Sequence, residues 1–213
     1  MADRELLRRI LSAAVMIPPV LAAVHFGPPW YSALIVILAA AMVWEWVHLA
    51  GRDLAWLVPG IVYMLGAAYF MYLMRGDGQT GRDLIYFLFA VTWTTDTGAY
   101  LTGRALGGPK LAPRVSPSKT ISGAIGGLVT GGGAGILIWW LTGHSVDVQI
   151  AVVAALGSIA CQIGDLLESA AKRHFQVKDS GRMIPGHGGI LDRVDGLLAA
   201  ALAVAAAGAG IWR

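Results

Sequence analysis

Seven runs of apolar residues, separated by short polar breaks, organise the chain: residues 10–26, 30–49, 56–74, 84–101, 120–141, 150–167 and 197–212. Several approach the roughly twenty residues that a helix needs to cross the hydrocarbon core of a bilayer. The pattern predicts an all-α fold, a polytopic integral membrane bundle of about seven transmembrane helices. The breaks read as turns and loops. Pro28-Pro29 marks the first, residues 74–83 carry glycines and acids suited to an external turn, and residues 143–149 form another. Residues 102–120 hold three prolines and four basic residues with no acid, which predicts an irregular loop. The first run, basic at its start and ending near Leu21-Ala22-Ala23, has the outline of a signal peptide, but six further runs favour an uncleaved helix. The glycines of residues 123–135 fall inside a run, where small residues serve close helix packing rather than nucleotide binding.

Composition sharpens this into a membrane protein. Of 213 residues, 56% are hydrophobic and 14% charged, against about a quarter charged in soluble domains. The single Cys161 excludes a disulfide framework and reads as a small buried hydrophobe. The formal charge is only +3, but its placement is asymmetric. With an N-in/C-out topology, thirteen Lys and Arg fall on the inner side and three, Arg75, Arg82 and Arg213, outside. No basic stripe with interleaved aromatics is present, so no nucleic acid is expected as partner. Glu45 and His48, three apart near the inner end of the second run, read either as ligands or a proton relay, or as part of an interfacial belt with Trp44 and Trp46.

The candidate chemistry concentrates in residues 164–196, which hold five of the thirteen acidic residues, Asp165, Glu168, Asp179, Asp192 and Asp195, with Lys172, Arg173, Lys178, Arg182 and Arg193. Charges beside hydrocarbon-compatible sequence are costly unless they pair, bind a metal or face water. Glu168, Ser169 and Lys172 follow Asp165 on one face of a continued helix, and Asp192 and Asp195 stand three apart at the opening of the last run. Such carboxylates suit Mg2+, which takes a few protein oxygens alongside phosphate and water, and they suit charge pairs with Lys or Arg equally well. The turn Pro185-Gly186-His187-Gly188-Gly189 favours the first alternative, because its glycines expose N–H groups just before a helix start, where an anion is stabilised. His187 reads as a general acid or phosphate donor, or as a turn residue. Ser116-Pro117-Ser118-Lys119-Thr120 is a second candidate phosphate cradle.

These residues resemble a known signature. Ser169, Lys172-Arg173, Lys178-Asp179, Pro185-Gly186-His187-Gly188-Gly189, Asp192-Arg193 and Asp195 stand at the spacing of the phosphatidate cytidylyltransferases, the membrane CDP-diacylglycerol synthases. Trp93, Asp96, Gly98, Tyr100, Gly103 and the run from Ser116 through Gly123 resemble that family's second characteristic region. Ala171 stands where a larger aliphatic is usual and Ile121 where a tryptophan is common, both packing changes. The chain is short for the family, so amino-terminal helices are expected to be missing.

The resemblance implies one membrane domain over residues 1–213, with amino-terminal helices in 1–92 and a catalytic region in 93–213 containing the signature motif 169–195. It implies conversion of CTP and phosphatidic acid to CDP-diacylglycerol and pyrophosphate, at the cytoplasmic face of a bacterial inner membrane. Mg2+ is the expected cofactor, with room for a second cation; Asp165 and Asp192 are its expected ligands. Asp165, Asp192, Asp195, Lys172, Arg173 and His187 are the expected catalytic set. Lys178, Asp179, Arg193, Gly188, Gly189, Ser116, Lys119 and Asp96 are the expected substrate-binding set. Membrane lipids are expected partners, and a homodimer is allowed for. Two rivals remain: a CTP-dependent transferase or kinase of another lipid such as a polyprenol, and an ion or proton transporter using Asp96 and Asp165 as a relay. The latter leaves the PGHGG turn idle.

Overall fold

The structure is a computed structural model that describes residues 2–181, 183 and 188–210, with side chains from Ala14 onward. Among the described residues the order is α1 (Ala2–Phe26), α2 (Trp30–Ala50), α3 (Leu54–Arg75), α4 (Gln79–Leu106), β1 (Lys110–Ala112), β2 (Ser116–Thr120), α5 (Ile121–Leu141), α6 (Val148–His174) and α7 (Leu191–Ala207). Each apolar run has become one helix. Four of them, α2, α3, α5 and α6, are long and apolar enough to cross a membrane. Large aliphatic side chains such as Ile37, Val62 and Val129 stand about two-thirds exposed on the outer surface, a face that only hydrocarbon solvates cheaply. The chain is an all-α integral membrane protein.

The helix ends follow from local chemistry. Asp53, Thr120 and Asp147 each turn a side-chain oxygen onto an N–H in the first turn of α3, α5 and α6. At the other end of α1, Arg75 is buried and satisfied by carbonyls: its Nε donates to Val24 O at 2.7 Å and its Nη2 to His25 O at 3.3 Å, while Nη1 reaches Gly76 O and Gly78 O. Its fork thus takes up two of the carbonyls that α1 leaves unpaired at its C-terminus and ties them to the turn after α3.

Helix α4 is the hub, touching α1, α3, α5, α6 and α7; its Leu84, Ile85, Phe87, Leu88 and Val91 are fully buried. It lies closest to α5, whose buried Gly123, Gly127 and Gly131 face it without side chains. A Cβ on these would come within 2.7–2.9 Å of the carbonyl oxygens of Ala99, Thr95 and Val91. The glycine run therefore serves helix packing, as its position in an apolar stretch predicts.

One expectation is corrected. Residues 102–120 are not an irregular loop: α4 continues to Leu106, and β1 and β2 pair antiparallel as a hairpin. Pro109 and Pro113 fall outside the strands, flanking β1, and Pro117 is in β2, in a two-stranded ribbon whose strands are both edge strands, the setting that tolerates proline. The hairpin lies at the same end of the bundle as the C-terminus of α6 and the link from α2 to α3. Arg173 Nε reaches Val115 O at 3.4 Å there, and His174 stacks on Trp56 beside Asp53.

Candidate active site

The site is built where α6 crosses α7 at that end. Gly164 and Gly196 make the close crossing feasible. A Cβ on Gly164 would lie 2.5 Å from Asp195 O and 2.7 Å from Ala199 Cβ, and one on Gly196 would lie 2.6 Å from Cys161 Sγ. Each glycine has an aspartate as sequence neighbour, so the crossing that they permit brings Asp165 and Asp195 within electrostatic reach of each other and of Asp96 on α4. The Cys161 thiol donates to Asp96 Oδ1 at 3.7 Å.

Two lysines answer this concentration of carboxylates. Lys172 Nζ lies 2.5 Å from Glu168 Oε2 and 2.7 Å from Asp192 Oδ1, bridging α6 to the first turn of α7. Lys119, at the end of β2, pairs with Asp165, and Ser169 Oγ donates to the other oxygen of Asp165 at 3.4 Å. The remaining oxygen of Asp192 accepts from Ser180 N and Ser180 Oγ, both at 3.0 Å, and from Gly189 N at 2.8 Å. Burial pushes the Asp192 carboxyl up, but its interactions with Lys172, Glu168 and the Gly189 N–H outweigh it and hold the group below the usual carboxylate range.

Two cavities flank α6. One, of about 560 Å³, is lined by Asp96, Tyr100, Lys110, Lys119, Gln162 and Asp165 among others, between α4, the hairpin, α5 and α6. The other, of about 390 Å³, is largely apolar and lies among α2, α3, α6 and α7, against Trp56, Met64, Leu167, Ala171 and Leu198. Glu168 and Asp195 form its polar wall. Tyr63 Oη and Glu168 Oε1 are buried with no hydrogen-bond partner among the described residues. A charged cavity and an apolar one thus share α6 as a wall, with the carboxylates of α6 and α7 between them.

A profile of the cytidylyltransferase family matches residues 52–209, from the start of α3 to the end of α7. The chain belongs to that family. A phosphatidate cytidylyltransferase of Brucella suis biovar 1 (strain 1330) is 51% identical over 168 residues, covering 79% of this chain and 61% of that protein. The phosphatidate cytidylyltransferase of Rickettsia bellii (strain RML369-C) is 31% identical over 197 residues, 89% of this chain and 85% of its own length. That of Staphylococcus haemolyticus (strain JCSC1435) is 45% identical over 148 residues, 68% and 55%. The chain thus spans 61% of the length of the Brucella relatives that it matches.

Within this cytidylyltransferase-family chain, the expected site residues divide. Asp96, Asp165, Asp195, Lys119, Lys172 and Asp192 gather around the α6–α7 crossing. Arg173, Lys178, Asp179 and Arg193 are exposed at its margin. Ser116 is half-buried on β2, and it is its neighbours Ser118 and Lys119 that line the charged cavity. Gly188 has a φ of +85°, a left-handed conformation that suits glycine, and a Cβ there would lie 2.9 Å from Asp192 Oδ2. Arg182, Pro185, Gly186 and His187 lie outside the described residues.

Glu45 makes contacts that neither reading of its sequence position named: it is 1% exposed, while Trp44 beside it is half-exposed. Its oxygens accept from Ile190 N and Leu191 N, each at 2.9 Å. The N-cap of α7 is Ile190, which has no side chain able to cap. Glu45 of α2 takes up the N–H groups of Ile190 and Leu191 instead, and Asp192 that of Gly189. Gly189 N–H, read from sequence as a phosphate donor, points at Asp192.

The donor types suit a hard cation: Asp96, Asp165 and Asp195 carry carboxylates that act on one another electrostatically, and Glu168 Oε1 is buried without a hydrogen-bond partner among the described residues. In the arrangement seen, ammonium groups neutralise Asp165 and Asp192. Among the described residues, no three His, Cys, Asp or Glu side chains converge on one point.

Proposed function

We propose that the chain is a CTP:phosphatidate cytidylyltransferase, converting CTP and phosphatidic acid to CDP-diacylglycerol and pyrophosphate. The observation that carries this reading is the shared wall: a lysine- and aspartate-lined cavity on one side of α6 and an apolar one on the other, with carboxylates and Lys172 between. A charged nucleotide and a lipid need such opposed surroundings within reach of one reaction centre. The names of the relatives from Brucella and Rickettsia support the choice of substrates.

In this reading Lys110 and Lys119 attract the triphosphate into the charged cavity, and acyl chains lie along Trp56, Met64 and Leu198. An oxygen of the lipid phosphate attacks the α-phosphorus of CTP, and the bond to the bridging oxygen breaks as pyrophosphate leaves with its electron pair. A phosphate monoester with a second pKa of about 6 is already largely ionised at neutral pH, so positioning and charge compensation matter more than a general base. Mg2+ would be held by Asp165 and Asp192, with Asp96 and Asp195 as further candidate ligands, and would supply charge neutralisation. Lys172 keeps Asp192 ionised and oriented. All seven helices cross the bilayer with the N-terminus in and the C-terminus out, which puts the hairpin end at the cytoplasmic face of a bacterial inner membrane; the thirteen-to-three asymmetry of Lys and Arg supports this orientation.

The test is purified protein in lipid nanodiscs with CTP labelled at the α-phosphate, Mg2+, and either phosphatidic acid or a free polyprenol. Label should enter a lipid product only with phosphatidic acid, and chelator should abolish it. Label in a polyprenol product would overturn the choice of acceptor. Ion flux without CTP, and no labelled lipid in either arm, would overturn the enzyme reading.

A further inference from the structure

We propose that Glu45 is a positioning residue for the reaction: from α2 it fixes the turn before α7 and, through Ser180, the orientation of Asp192. This rests on the preceding reading, in which Asp192 serves the reaction. A carboxylate buried to 1% exposure in a helix whose other residues are nearly all apolar is costly unless its charge is met. Among the described residues two backbone N–H groups meet it, with the Ser180 hydroxyl beside it. One oxygen accepts from Ile190 N, the other from Leu191 N, with Ser180 Oγ at 3.5 Å from the latter. That hydroxyl lies closer, at 3.0 Å, to Asp192 Oδ2. Ser180 has a single hydroxyl proton, so it donates to Asp192 while its oxygen packs beside Glu45. The two carboxylates are thereby held on either side of one side chain.

The glycines of this segment are shaped around Glu45 as well. A Cβ on Gly189 would lie 2.7 Å from both Glu45 oxygens, and one on Gly181 would lie 2.8 Å from Glu45 Cδ. The space that these glycines leave is filled by a protein carboxylate. With Glu45 and Asp192 consuming the N–H groups of Gly189, Ile190 and Leu191, one Asp192 oxygen is committed to the turn. The other is left facing Lys172 and the α6–α7 crossing.

Gln at position 45 has the same shape but one acceptor oxygen, so its NH2 must face one of the two N–H donors. Glu45→Gln should lower kcat at least tenfold per folded molecule, as one charge-assisted hydrogen bond is lost and Asp192 loosens. The KM for CTP should stay within twofold, because neither Glu45 nor Asp192 lines the charged cavity. Val204→Ala, a buried truncation on α7 away from the turn, is the control: it should lower the thermal midpoint yet leave kcat per folded molecule unchanged. Hydrogen exchange of the peptide spanning 188–196 should quicken in Glu45→Gln and stay as in wild type in Val204→Ala. Unchanged kcat in Glu45→Gln, a CTP KM that rises in step with the loss, or unchanged exchange would overturn the proposal. Should Glu45→Gln fail to accumulate, Ser180→Ala keeps both backbone bonds of Glu45 and removes the shared hydroxyl. It should lower kcat several-fold, and an unchanged kcat there overturns the proposal equally. If wild type shows no CTP-dependent turnover, the functional reading fails by itself, and exchange still decides whether Glu45 holds the turn.

Discussion

Removing the ammonium of Lys172 tests the electrostatic logic of the site most directly. Lys172→Met keeps the aliphatic stem and deletes the charge that bridges Glu168 and Asp192. The three side chains are 16%, 11% and 8% exposed, so water cannot take over the lost contacts. Breaking a buried ion pair by removing one partner costs roughly 3–5 kcal/mol, because the other partner stays buried and uncompensated. For a chain of this length that corresponds to a drop of about 6–20 °C in thermal midpoint. The pH dependence adds a sign. In wild type the folded-state pKa of Asp192 is depressed, so its stabilisation is fully present above its unfolded value of about 3.9 and is lost only as pH falls through the lower folded value. Without Lys172 the burial of Asp192 is offset only by the hydrogen bonds of the turn, and its carboxyl moves up. The folded variant then takes up a proton at higher pH than folded wild type, so acidification favours the variant relative to wild type. The deficit between variant and wild type should therefore shrink as pH is lowered from 8 to 5, read by thermal unfolding of detergent-solubilised protein. A deficit independent of pH, or a midpoint unchanged by the substitution, would refute the bridge.

Asp192→Asn keeps an acceptor for the turn but loses the charge opposite Lys172; it should abolish CTP-dependent turnover, by at least about 100-fold, while membrane insertion stays intact. Near-normal activity would remove Asp192 from the site. Lys119→Gln should raise the KM for CTP about tenfold, the equivalent of about 1.4 kcal/mol, and move the thermal midpoint little, since the Lys119–Asp165 side chains are 24% and 33% exposed and such pairs contribute about 0–1 kcal/mol. An unchanged KM would take Lys119 out of nucleotide binding. Gly164→Ala places a methyl 2.5 Å from Asp195 O and should destabilise the α6–α7 crossing by about 1–3 kcal/mol; an unaltered midpoint would show that the crossing has slack.

The helices were legible because the signal is local: an apolar run must satisfy its backbone internally when lipid surrounds it, and only a helix does so within one segment. The hairpin was not, because the pairing of Lys110 with Thr120 and Ala112 with Ser116 lies in a polar, proline-bearing stretch without strand alternation. Part of the cluster at the α6–α7 crossing was legible in sequence, and its wiring was not. Asp192 and Asp195 share a helical face by spacing, yet Asp192 turns to Lys172 and Ser180 while Asp195 lies toward Asp165 and Asp96. Which neighbour each side chain meets depends on how α6 crosses α7, and Gly164 and Gly196 reveal that crossing only once their missing Cβ atoms are set against the opposing backbone. Glu45 carries the same lesson over 145 residues of separation. Two clues were present in sequence: an acid within an apolar helix must be met by something, and a helix starting at Ile190-Leu191 has no capping side chain of its own before Asp192. Each is an unsatisfied polar requirement, one of acceptors and one of donors, and the fold resolves them against each other. Two unmet requirements of opposite sign in different apolar segments predict a contact between those segments, which hydrophobic periodicity alone does not.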